Sequence, residues 1–143
     1  MACVINYEKG TSYDHYDIGS RFDTTEGENE SGAAMWEIRN WLTQYNLYYT
    51  LNNSGRTLTA LVSSMRAGHP VLGGFSTSDF SEGHAVVIRG LNFAYNTFSV
   101  MDPNCGSSYR TGHIDDPYGN MGTLRLTSYS GAYVFYMDDY LYL

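Results

Sequence analysis

The sequence predicts an α+β fold in which helices come first and an antiparallel sheet follows. Two observations carry this. Apolar residues recur at helical spacing as far as Met65, whereas after Pro70 they gather in short runs rich in Val, Ile, Phe and Thr, bounded by Gly, Asn and Pro. Because the helices precede the strands instead of alternating with them, a parallel βαβ sheet is excluded. At 143 residues the chain fits one core, and residues 1–143 read as a single domain.

Residues 1–9 are apolar from the start and stop at Gly10, a residue that terminates helices readily. No Ser, Thr, Asp or Asn caps this helix, so it reads as the end of a longer one that begins upstream, and the domain as one shortened at its N-terminus. Residues 11–32 are polar and acidic, with Glu26, Glu28 and Glu30 close together, and read as a solvated loop. A second helix is expected from Ser31, with Met35, Ile38, Leu42 and Tyr45 on one face beside Trp41. A strand at 47–51 and a turn at 52–56 follow, and Thr57 is placed to cap a third helix. In that helix Leu58, Leu61, Val62 and Met65 form one stripe, which ends at Gly68. Strands are then expected at 71–75, 84–91, 97–102, 121–127 and 132–137.

Composition removes several functions. The chain is 43% hydrophobic but has no apolar run long enough to span a bilayer as a helix. Its net charge is −7, Lys9 is the single lysine and the arginines are scattered, so the phosphate-neutralising patch of a nucleic-acid binder is missing. The first 20 residues lack the pattern of a secretory signal, which leaves a cytoplasmic protein or one whose leader has been removed. The 14 tyrosines suit both cores and binding surfaces. Oligomeric state has no signature.

The chemistry centres on two strands. The runs 84–88 and 97–101 flank a turn at 92–96, and centring that hairpin on Phe93 sets His84 opposite Asp102. Directly opposed residues share a face, with Cβ atoms roughly 5 Å apart. A carboxylate so placed holds an imidazole in one tautomer and stabilises its charged form, the part an acid plays in nucleophilic triads. The plainer account is a histidine at a strand end and an aspartate opening a turn before Pro103, and spacing alone leaves both open.

The string GHAVVIRGLNFAYNTFSVMDPN, residues 83–104, resembles the histidine strand, hairpin and Asp-Pro strand of papain-like cysteine peptidases of the bacteriocin-leader-processing type and their secreted relatives. The preceding LTALVSSMRAGHPVLGGFSTSDFSEGH is similar to the short helix, Gly-His-Pro turn and strand of that family. The resemblance implies a papain-like fold with helices packed on an antiparallel sheet, a secreted bacterial setting, a peptide or protein substrate and no cofactor. It makes His84 the general base and Asp102 its orienting partner, with Asn104 the weaker candidate for that role. The family's nucleophilic cysteine caps the first helix and follows an oxyanion-hole glutamine. Because MACVINY at the start of this chain is similar to the later part of that helix, the nucleophile would stand about two helical turns before Cys3. Cys3 would then be a small buried hydrophobe.

The competing assignment makes Cys3 itself the nucleophile, since a helix N-terminus lowers a thiol's pKa. A third reading keeps the fold without the chemistry, as a binding or structural module with a tyrosine-rich surface. Cys3 and Cys105 are too few for a disulfide framework and have no zinc spacing, though one bridge stays open, and Cys105 reads as a loop thiol. His15 near Asp14 and Asp17, and His113 near Asp115 and Asp116, are metal-ligand types in no known motif and read as loop residues. His69 reads as a turn residue before Pro70, and Gly73-Gly74 as a strand site of close approach.

Overall fold

A computed structural model describes residues 1–14, 17, 33–105 and 108–143. They fall into two units, Met1–Tyr49 and Thr50–Leu143.

In the first unit, α1 (Ala2–Lys9) buries Val4 and Ile5 and ends where Gly10 takes the left-handed conformation at φ 63°. Asn6 pins the chain that follows. Its amide donates to the Tyr13 carbonyl at 2.8 Å, while its oxygen accepts from the Tyr13 N–H at 2.8 Å and the Thr11 hydroxyl at 2.9 Å. The acidic stretch around Glu26 and the expected helix start at Ser31 lie outside the described residues. α2 spans Met35–Thr43 and buries Met35, Ile38 and Leu42 of the expected stripe, while Tyr45 lies past its end. Its first turn is held by Glu37, whose carboxylate accepts from the Ala34 N–H at 2.8 Å.

The second unit opens with β1 (Thr50–Asn52), so the strand expected at 47–51 starts later, and it precedes the last helix. α3 (Thr59–Arg66) has Leu58 as its N-cap, without a side-chain bond. Thr57 is not the cap because its backbone is used elsewhere: it bridges to Met121, and its carbonyl accepts from the Tyr140 hydroxyl at 2.5 Å. The same hydroxyl accepts from Asn52 Nδ2 at 2.9 Å, which satisfies a phenol buried in the core.

Six strands follow: β2 (Val71–Ser76), β3 (Gly83–Asn92), β4 (Thr97–Met101), β5 (Tyr109–Tyr118), β6 (Met121–Thr127) and β7 (Val134–Tyr142). Each pairs antiparallel with its neighbours in the order β1-β7-β2-β3-β4-β5-β6, and β6 also pairs with β7. That last pairing closes β2–β7 into a barrel, with the three-residue β1 paired outside it on β7. β7 runs past the expected end at 137 because it serves three partners: residues 134–136 pair with β6, 136–141 with β2 and 140–142 with β1. One buried cluster unites the inward residues of the barrel, among them Phe75, Ile88, Phe98, Val100 and Leu124, with Leu58, Leu61 and Val62 of the α3 stripe. Each large apolar side chain so buried contributes about 1.5–3 kcal/mol.

The β3–β4 hairpin determines which side chains can meet. Near the turn, Asn92 faces Thr97, Leu91 faces Phe98 and Gly90 faces Ser99; beyond it, Ile88 faces Val100 and Val87 faces Met101. Arg89 is therefore an extra residue on β3, a bulge. The loop is centred between Ala94 and Tyr95, not on Phe93. Continuing the register past the bulge sets Asp102 across from Val86, on the same face as His84 but one diagonal step away.

β5 is the strand that the sequence does not announce. Of its ten residues only Gly112 and Ile114 are buried, so half of its inward signal is carried by a glycine. Phe98 explains the glycine: a Cβ at position 112 would lie 2.4 Å from the Phe98 ring and 2.7 Å from the Arg125 carbonyl oxygen. Gly112→Ala should therefore destabilise the protein by about 1–3 kcal/mol in urea denaturation. Phe98→Leu in the same chain should recover part of that loss.

Candidate active site

His84 is the second residue of β3, and Asp102 follows the last residue of β4 directly. Here the chain turns into a short 3-10 helix, Pro103–Cys105, which Asp102 itself caps. Its Oδ1 accepts from the Asn104 N–H at 2.9 Å, and its carbonyl accepts from the Cys105 N–H at 2.9 Å. The same Oδ1 lies 2.8 Å from His84 Nε2. On the other side Oδ2 accepts from Arg110 Nη1 at 2.7 Å, and Arg110 Nη2 donates to the Thr127 carbonyl. The Asp102 side chain is 1% exposed, against 12% for His84 and 17% for Arg110.

A carboxylate that deep is costly unless it is paired and hydrogen-bonded. Burial pushes the Asp102 carboxyl up, but the Arg110 hydrogen bond, the Asn104 amide and His84 outweigh it, and the net direction is down. Asp102 is therefore ionised at neutral pH. The His84 ring packs on Phe135, with centroids 5.6 Å apart. Beside the pair lies a cleft of about 330 Å³, bounded by Glu82 and Asn104 on one side and by Ser128, Tyr129, Ser130 and Tyr133 of the β6–β7 turn on the other. That turn is closed on itself, since Ser128 N–H donates to the Tyr133 carbonyl at 2.8 Å and Tyr133 N–H to Ser128 Oγ at 3.0 Å.

A family model described as the Peptidase_C39 like family matches residues 5–130. The chain belongs to that family. No curated protein and no solved structure matches it. Membership in the Peptidase_C39 like family points to a cysteine-peptidase-like hydrolytic function on peptide substrates. The matched span takes in His84, Asp102 and Arg110 and begins after Cys3.

The structure thus brings His84 and Asp102 together. Asn104 is exposed and contributes its backbone N–H to Asp102. Cys3 sits in the first turn of α1 and is exposed, which corrects the expectation of a buried hydrophobe: Val4 and Ile5 take the inward positions of that turn. Cys105 is half-buried in the 3-10 helix, and both thiols are free. His113, Asp115 and Asp116 lie on β5 and not in a loop as expected; His113 is exposed, while Asp115 pairs with Arg125 at 2.5 Å. Asp14 and Asp17 accept from each other's backbone N–H groups, and His15 lies outside the described residues. Among the described residues no three His, Cys, Asp or Glu side chains gather as a metal site would require. His69 follows α3, its N–H on the Ser64 carbonyl at 3.0 Å, and Gly73 lies close beneath the Phe75 and Ile88 side chains.

Sequence reasoning missed Arg110 because it missed β5. The one available signal was the lone cation eight positions after the acid. With Nε2 engaged by Asp102, Nδ1 is the ring nitrogen of His84 left for proton transfer.

The depressed Asp102 carboxyl gives a stability prediction with a definite sign. Its folded pKa lies below the ordinary value of 3.8, so its contribution is complete above that value and fades as pH falls through the lower native one. Asp102→Ala should cost about 3–5 kcal/mol at pH 7, and the gap to the parent chain should narrow only in strong acid. Urea unfolding of both proteins across the acid range reads this directly. A gap that does not change with pH would mean that the charge is irrelevant.

Proposed function

We propose that the chain is a thiol-dependent hydrolase of peptide or related acyl bonds, a papain-like domain over residues 1–143 with His84 as base and Asp102 as its orienter. The observation that carries this reading is the 2.8 Å contact between His84 Nε2 and a buried carboxylate, in a chain of the Peptidase_C39 like family. Such a carboxylate fixes the proton on Nε2 and frees Nδ1 to take the proton of a thiol. The thiolate then attacks the scissile carbonyl, the imidazolium returns its proton to the leaving amine, and water releases the acyl group by the reverse sequence. Cys3, exposed in the first turn of a helix, is the candidate nucleophile within the given residues. The assignment that the family resemblance implies is instead a helix-capping cysteine preceding it, with Cys3 the competing one.

Hydrolysis of mixed peptides and esters, together with labelling by a cysteine-directed epoxide, tests the proposal. Both are measured on the chain and on the chain preceded by about ten residues that carry a glutamine and a capping cysteine, the cysteine set about two helical turns before Cys3. His84→Ala should lower turnover and labelling by about a hundredfold or more. Asp102→Asn should keep the fold and lose about a hundred- to ten-thousandfold in turnover. Cys3→Ser assigns the nucleophile: loss of both signals gives it to Cys3, and no change gives it to the capping cysteine. If both forms fold yet stay inert and unlabelled, the hydrolase reading is wrong and a binding module takes its place.

A further inference from the structure

Asp102 has two oxygens and three partners, and the partners are not equivalent. Oδ1 is shared by the His84 ring and the Asn104 amide, whereas Oδ2 is held by Arg110 at 2.7 Å. His84 and the amide therefore act on one oxygen, which leaves the carboxylate free to pivot about that point unless something holds the other. A guanidinium suits the task because it is planar, always charged and presents several donors in a rigid fork.

Arg110 is itself held. It faces Val100 in the β4–β5 register, two residues before Asp102 on the same face, so its side chain reaches the acid along a diagonal. Its second nitrogen is tied to the Thr127 carbonyl at the end of β6. The guanidinium is thus fastened at both ends, to the end of one strand and to the acid that follows another. Among the described residues, the other ionisable groups near the acid are His84 on β3, Cys105 in the 3-10 helix and, along the cleft, Glu82, Tyr129 and Tyr133.

We propose that Arg110 is a positioning residue: by holding Oδ2 of Asp102 it orients the carboxylate that orients His84, and so determines which ring nitrogen carries the proton. This rests on the hydrolase reading for its consequence in turnover, but the effect on the ring stands apart from it.

The test uses the full chain, ¹⁵N-labelled, with Arg110→Gln, Arg110→Lys and Asp102→Asn variants. Imidazole ¹⁵N spectra at alkaline pH report the tautomer of His84. The parent chain should show one tautomer, protonated on Nε2, and Arg110→Gln should show a mixture. Arg110→Lys keeps the charge without the fork and should fall between them. Where hydrolysis is measured, Arg110→Gln should lower kcat about ten- to a hundredfold with KM within about twofold, and adding it to Asp102→Asn should lower kcat little further, because Arg110 acts through Asp102. A purely structural arginine would lower the unfolding midpoint and leave the tautomer alone. That result in Arg110→Gln, or full turnover and an unchanged tautomer in Arg110→Lys should the glutamine variant not fold, overturns the proposal. If every form is inert yet Arg110→Gln mixes the tautomers, the hydrolase reading fails and the positioning role survives.

Discussion

A carboxylate taken out of water sets the terms for everything around it. Asp102 is 1% exposed, and a charge so buried persists only where its oxygens are matched by donors. Three segments supply them: β3 brings the His84 ring, the 3-10 helix after Pro103 brings an amide, and β5 brings a guanidinium. None is adjacent by chance. The ring depends on the bulge at Arg89, the amide on the sharp turn that Pro103 begins, and the guanidinium on a return strand whose register puts Arg110 across from Val100. Closure of the barrel matters as well, because the β6 carbonyl that holds the far side of Arg110 belongs to Thr127, a residue that pairs with Val134 of β7.

What the sequence revealed of this and what it hid follow from where the apolar signal lies. The stripe of Leu58, Leu61 and Val62 was readable because all three face one core, and so was the centre of β3, where Val86, Val87 and Ile88 form an unbroken buried run. β5 was not, since Gly112 stands where a pattern needs an apolar side chain and Phe98 of the neighbouring strand fills the space. Arg110 was lost with its strand. The exposure of Cys3 was equally hidden: in an apolar first turn, sequence alone does not say which residues point inward, and Val4 and Ile5 take those places. His84 and Asp102 were found to share a face from a hairpin centred one and a half residues too early. The inference held because the true centre is compensated by the bulge, which no residue in the string announces.

The tyrosines, abundant enough to stand out in the composition, divide by position. Tyr140 is fully buried and spends its hydroxyl on Asn52 and Thr57, whereas Tyr129 and Tyr133 stand exposed in the turn beside the cleft. Aromatic side chains there present rigid contact area at small entropic cost. The turn that carries them joins the two strands that close the barrel, so a ligand resting on it leans on a braced support.

The bulge has a consequence for how this hairpin can change over evolutionary time. Successive residues of a strand point to opposite faces, so parity decides whether the histidine and the acid meet. Gaining or losing two residues between them preserves the meeting; gaining or losing one sends the acid to the far side of the sheet. Arg89 already spends the single odd step that the four-residue loop requires. Insertions and deletions here are therefore filtered in pairs, and a lone one survives only in company with the birth or loss of a bulge.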